Sequence, residues 1–367
     1  MQLISMMTEE KNSPTARGVG RRSFMSVMAA MGGAQMLLSG NASADDAAPD
    51  PVMQQWAIFR SKYLRSDGRI IDTGNGGESH SEGQGYGMLF AAEAGDLAAF
   101  EAIWVWARTN LQHTDDKLFS WRYLSGHQPP VPDKNNATDG DLLIALALGR
   151  AGKRFKRADF VQDAMAIYGD VVNLMTMKVG PYVVLMPGKT GFIKKDSVIL
   201  NLSYYVMPSL LQAFDLTADP RWRTVMKDGL RLVSAGRFGQ WRLPPDWLAV
   251  NRTTGALSIA PGWPPRFSYD AIRVPLYLYW AHMLAPDVLA DFSRFWNNFG
   301  ASALPGWVDL TTGARSPYNA PPGYLAVAEC TGLDSAGELP TLDHAPDYYS
   351  AALTLLVYIA RAEETIK

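Results

Sequence analysis

Residues 137–151 read Ala137-Thr138-Asp139-Gly140-Asp141-Leu142-Leu143-Ile144-Ala145-Leu146-Ala147-Leu148-Gly149-Arg150-Ala151. From Leu142 onward the apolar residues recur at helical spacing, so the segment predicts a helix that begins near Thr138. Thr138 and Asp141 stand at capping-box spacing, which accounts for Asp141 as a cap and leaves Asp139 without such an explanation. A calcium loop would need another acid or amide where Leu143 stands, so the two acids do not read as a metal site.

The same helical pattern extends outward on both sides. Trp56, Phe59 and Tyr63 fall at i, i+3 and i+7, and apolar stripes recur over residues 86–94, 97–111, 160–175, 202–214, 222–233, 272–284, 288–299 and 348–360. Runs of period two are scarce, with Tyr182–Leu185 and residues 307–310 expected as short strands. Loops rich in Gly, Pro, Asp or Asn follow nearly every helix, as at 125–136, 187–196 and 243–267, and no linker divides the chain. Residues 45–367 are therefore expected to form one domain. Ten or more helices joined in this way suggest stacked helical hairpins closed on themselves, because an open array would expose apolar faces on its end helices.

Charge and cysteine usage narrow the function. The formal charge is −2 and no basic tract is present, which disfavours binding to nucleic acid or to an anionic membrane. Cys330 is the one cysteine, so neither an intrachain disulfide nor a Cys-based zinc site can form. Residues 1–44 read as an export signal. Lys11, Arg17, Arg21 and Arg22 precede an uncharged stretch, and Ala42-Ser43-Ala44 supplies small residues for cleavage. The apolar part, residues 24–38, is short for a membrane span, and Arg21-Arg22-Ser23-Phe24 resembles a twin-arginine signal. The mature chain is expected to be exported, to the periplasm or beyond, without a membrane anchor.

Two further acids accompany Asp139. In Ser79-His80-Ser81-Glu82-Gly83-Gln84-Gly85-Tyr86-Gly87-Met88, Ser81 and Gln84 have capping-box spacing, which places Glu82 in a first helical turn. Three glycines at alternate positions cost a helix roughly 1 kcal/mol each, so either another helix or an extended ligand must approach that backbone closely. In Ser268-Tyr269-Asp270-Ala271-Ile272-Arg273, Ser268 as cap would put Asp270 in a first turn one helical turn from Arg273. One acid at a helix start is ordinary dipole chemistry. Three would form a carboxylate site if their helices began at the same rim of a closed bundle, and two carboxyl groups of unequal pKa are what glycoside hydrolysis uses. Sugars also need flat apolar platforms, for which Trp121, Tyr123, Tyr204, Tyr205, Trp241, Trp247, Trp263, Trp307 and Tyr324 are candidates.

These segments carry a resemblance. Ala137-Thr138-Asp139-Gly140-Asp141 resembles the diagnostic segment of glycoside hydrolase family 8, Ser81-Glu82-Gly83-Gln84-Gly85-Tyr86-Gly87-Met88 is similar to its proton-donor segment, and Ser268-Tyr269-Asp270-Ala271-Ile272-Arg273-Val274-Pro275 to its general-base segment. The likeness is strongest to those exported members that accompany bacterial cellulose synthesis. It implies an all-α (α/α)6 barrel and an inverting endo-β-1,4-glucanase that needs no cofactor or metal. Carried over by position, Glu82 would be the general acid, Asp270 the general base, and Asp139 the support of the distorted sugar. Tyr269 and Arg273 would orient the base region, and Trp121 and Tyr204 would line the cleft. The implied partner is a β-1,4-glucan chain, acted on by a monomer in functional association with the cellulose synthase machinery.

The competing readings are a non-catalytic glucan-binding factor, which should have lost an acid, and a hydrolase of xylan, lichenan or chitosan. A polysaccharide lyase would need a Tyr or His base and a cation to neutralise a uronic acid. The histidines show no metal spacing, and His80 is expected to support the site from behind. Val183 stands where a phosphate loop before Gly188-Lys189-Thr190 would need its first glycine, and the chain has no Gly-x-Ser-x-Gly elbow.

Overall fold

The computed structural model describes residues 50–335 and 337–364; the expected export signal, 1–44, lies outside the described residues. Helical spacing in the sequence becomes eleven α-helices among these residues: α1 (Pro51–Tyr63), α2 (Ser81–Ala94), α3 (Leu97–Asn110), α4 (Thr138–Arg154), α5 (Ala158–Leu174), α6 (Met207–Thr217), α7 (Arg221–Ala235), α8 (Arg273–Trp280), α9 (Pro286–Phe299), α10 (Pro322–Cys330) and α11 (Tyr348–Glu364). Their ends follow local chemistry. Asp50 caps α1 by accepting from Val52 N at 2.8 Å, with Pro51 in the first turn where a missing N–H does no harm. Gly95, at φ 79°, ends α2 in the left-handed conformation, and Asp96 caps α3 immediately afterwards.

The helices alternate between two layers. α2, α4, α6, α8, α10 and α11 pack successively as an inner ring, and α11 returns to α2 to close it. α1, α3, α5, α7 and α9 lie outside, each against at least one chain neighbour and α1 also against α11. This is an (α/α)6 barrel. The sixth outer place, between α10 and α11, holds no α-helix among the described residues, only a 3-10 turn at Leu342–His344. The inner helices α2 and α4 are buried on nearly every face: in α4 all residues from Thr138 to Gly149 are buried. Closure is also electrostatic, since Arg150 of α4 pairs with Glu93 of α2 at 2.7 Å and with Glu363 of α11.

The inner helix α10 showed no stripe because Gly323, Ala326, Val327 and Ala328 leave it small and apolar nearly all round. The stripe over 202–214 is broken, forming a 3-10 turn at Leu202–Tyr204 before α6 begins with Pro208 in its first turn. Helix α8 ends at Trp280, short of the expected 284. Tyr182–Leu185 is a strand, paired antiparallel with Thr176–Val179, and 307–310 yields Val308–Asp309. An unexpected three-stranded antiparallel sheet joins Ser197–Leu200, Leu248–Asn251 and Leu257–Ile259, tying together the long loops before α6 and α8.

Candidate active site

The glycines of α2 and α4 bring the first two acids together. A Cβ on Gly140 would stand 2.2 Å from Ser81 Oγ and 2.7 Å from Glu82 N, and one on Gly85 would stand 2.6 Å from Leu143 Cβ. Gly83 and Gly87 are covered in turn by Tyr348 and Ile70. Of the two expectations for this backbone, protein fills the space and a ligand does not. Both capping boxes are absent. Gln84 instead accepts from Ile70 N at 2.7 Å and donates to Gly68 O at 3.2 Å, while Ser81 Oγ has no partner. Thr138 donates to Met186 O at 2.6 Å, and Asp141 accepts from Phe119 N at 2.8 Å and Asn136 Nδ2 at 2.7 Å. Tertiary partners have taken the side chains that the local pattern assigned to caps.

Asp270 also departs from expectation. It lies in the turn before α8 rather than in a first helical turn, with Arg273 N bonded to its carbonyl at 3.1 Å. Arg273, at the start of α8, then gathers the site. Its Nη1 meets Glu82 Oε1 and lies 3.3 Å from Asp139 Oδ2, and its Nη2 lies 2.8 Å from Asp270 Oδ1 and 3.0 Å from Ser203 Oγ. The beginnings of α2, α4 and α8 therefore share one end of the barrel. Exposure separates the acids: the side chains of Glu82 and Asp270 are 18% and 30% accessible, whereas that of Asp139 is 3%. Two carboxylates reach the cleft and the third lies beneath them.

Burial, and secondarily the charge of Asp270, pushes the Asp139 carboxyl up to about 7. Burial also raises Asp270 to about 6, with donors from Asn201 and Trp247 pulling the other way. A buried phenol pair lies behind Glu82: Tyr86, four residues on along α2, has its hydroxyl 3.3 Å from Glu82 Oε1 and 3.0 Å from that of Tyr277. Tyr86 was visible in the Glu82 segment as an i+4 neighbour. Nothing local marked Asn201, Ser203, Tyr277 or Asp246, the last of which lies in the long loop before α8.

The aromatic candidates divide. Trp121 stacks on His80 with planes 2° apart and donates to Asp133 at 2.9 Å. His80 lies against Trp121, its Nε2 2.8 Å from Glu78 Oε1. Tyr204 packs edge-on against Trp247, and Trp247 stacks on Trp263 with centroids 4.1 Å apart. Tyr269 packs edge-on against Tyr324, its hydroxyl 3.1 Å from that of Tyr318. Tyr205 and Tyr324 are core residues, buried to 2% exposure, and are withdrawn as sugar platforms. Trp241 packs against Phe295 and Phe299 of α9. His113, Asp115 and Asp116 come close enough to hold a metal ion, a grouping the sequence reading did not anticipate, but the Lys189 ammonium already pairs with Asp116.

A model of glycosyl hydrolases family 8 matches residues 25–363. The chain belongs to this family. It is 88% identical over 343 residues to a probable endoglucanase of Novacetimonas hansenii, covering 94% of this chain and all of the relative. An endoglucanase of Cellulomonas uda is 37% identical over 276 residues, which cover 75% of this chain and 76% of that one. Among solved structures, the endo-β-1,4-glucanase CMCax of Acetobacter xylinum superposes with a TM-score of 0.85 at 89% identity, covering 87% of this chain and all of the other. The family-8 endoglucanase Cel10 of Klebsiella pneumoniae gives 0.81 at 37% identity, covering 85% of this chain and 99% of that one.

Proposed function

We propose that the protein is an endo-β-1,4-glucanase that cleaves internal linkages of cellulose or soluble β-glucan with inversion. The observation that carries the reading is the arrangement of two accessible carboxylates, Glu82 and Asp270, on either side of one guanidinium and beside the Trp247–Trp263 stack. Glu82 protonates the leaving glycosidic oxygen as the bond breaks. Asp270 takes a proton from the water that attacks the anomeric carbon from the opposite face. Asp139, sealed beneath them, supports the sugar at the cleavage point, and Arg273 and Tyr269 orient the base region. Trp121 and Tyr204 supply flat surfaces along the cleft.

Proton NMR of the first product from a β-linked cello-oligosaccharide tests the stereochemistry: the α-anomer should appear before mutarotation, and initial β-anomer would require all three acids to be reassigned. Side-by-side release of reducing sugar from carboxymethyl cellulose, xylan, lichenan and chitosan tests the substrate, with carboxymethyl cellulose expected to lead. We further propose that the enzyme acts after export directed by residues 1–44, as a monomer, alongside the machinery of cellulose synthesis. Supporting this are the basic, apolar and small-residue order of the leader, a closed barrel that leaves no end helix needing a partner, and the resemblance of the three acidic segments. Fractionation of producing cells and size-exclusion chromatography test the location and the monomer.

A further inference from the structure

A base carried on a turn, rather than on a helix, needs something to fix it. The backbone of the turn bearing Asp270 runs into α8 through its carbonyls, Ser268 O accepting from Ile272 N at 3.0 Å, Asp270 O from Arg273 N at 3.1 Å and Ala271 O from Val274 N at 3.0 Å. Its N–H groups point to Asp246. Asp246 Oδ1 accepts from Ser268 N at 3.0 Å and from Ala271 N at 2.9 Å, so one oxygen spans the turn on both sides of the base. Asp246 is itself fixed, donating its own N–H to Arg266 O at 2.8 Å, between buried Pro245 and the stacked Trp247. The loop thus couples an aromatic of the cleft to the turn of the base through adjacent residues.

We propose that Asp246 is a positioning residue for the water-activating step: its carboxylate oxygen holds the turn that carries Asp270 through the N–H groups of Ser268 and Ala271. The role requires an acceptor at that point, not a second acid on the substrate. The titratable and charged groups facing Asp270 are Asp139, Asp246, Arg273 and the phenols of Tyr204, Tyr324 and Tyr349; of these only Asp246 bonds the turn's N–H groups. Losing that acceptor leaves two N–H groups without a partner and lets the base drift, and a misplacement of about 1 Å costs a reaction on the order of 10²-fold.

The inference rests on Asp270 being the base, so D270N is measured beside D246A and D246N, with folding checked by circular dichroism and kinetics taken on a soluble cello-oligosaccharide. D246A is expected to lower kcat roughly 10- to 100-fold while KM changes less than about threefold, because the platforms that bind sugar stay in place. D246N, which keeps an acceptor oxygen, should restore kcat to within about fivefold of the parent. A folded D246A with parental kcat, or a folded D246N no better than D246A, overturns the proposal. If D246A does not fold, D246N decides alone, and a folded D246N that has lost activity also overturns it. Parental activity in D270N would instead remove the assignment of the base.

Discussion

Gly140→Ala tests how the barrel builds its site. The added methyl would stand 2.2 Å from Ser81 Oγ and 2.7 Å from Glu82 N, the second a backbone atom that cannot swing away. Ordinary carbon contacts begin near 3.5 Å, so α2 and α4 must separate by about 1 Å at the level of the acids. Overpacking of this kind costs about 1–3 kcal/mol. The larger consequence is functional, because the displaced segment carries Glu82 while Asp139 stays on α4, and a shift of about 1 Å lowers the rate on the order of 10²-fold. Gly169→Ala on α5 is the control, since a Cβ there meets nothing within 4 Å. It should stabilise the protein by up to about 1 kcal/mol through helix propensity and leave activity unchanged. Urea unfolding and release of reducing sugar from carboxymethyl cellulose measure both variants. If Gly140→Ala keeps parental stability and activity, direct contact between α2 and α4 does not set the position of the acid.

Glu82→Gln should fold and bind oligosaccharide but lose at least the 10²- to 10⁴-fold typical of a general acid; near-parental hydrolysis of an unactivated glucan would remove it from that role. A base raised to about 6 must be ionised to accept a proton, so kcat/KM should fall below about pH 6 and this limb should be absent from residual activity in Asp270→Asn; a limb that persists there belongs to another group. Asp139, raised to about 7 by burial and by Asp270, holds a proton in the folded chain over a range where the unfolded chain has released it. Stability should therefore fall as pH rises from about 4 to 7. Asp139→Asn should be more stable than the parent at pH 7.5, equal to it at pH 4 and severely impaired in activity, and pH-dependent urea melts showing no such convergence would contradict the burial argument.

Much of this molecule was legible locally. Helical period identified nine of the eleven helices in whole or in part along with α6 in its broken form, because amphipathic outer helices such as α7 and α9 must repeat apolar residues every three to four positions to reach a core on one side. Glu82, Asp139 and Asp270, which the structure gathers around Arg273, could each be singled out as candidates, since each stands in a segment whose glycines or aromatics a plain surface helix would not carry. The scarcity of alternating runs argued against a sheet as the framework.

What the tertiary structure decided lies wherever a partner is far away along the chain. Arg273 meets Asp139 across 134 residues, and no local pattern records that distance. The glycines of α2 signalled a close approach without saying to what; Gly85 meets Leu143 of α4, Gly83 meets Tyr348 of α11 and Gly87 meets Ile70. Ser81, Gln84, Thr138 and Asp141 had cap spacing, yet the inner ring buries these helix starts, and each buried polar group then took the partner that neighbouring elements offered or, for Ser81 Oγ, none. Asp246 is the furthest case. Its two bonds run to a turn more than twenty residues away, so only the folded loop brings it to the turn that bears Asp270.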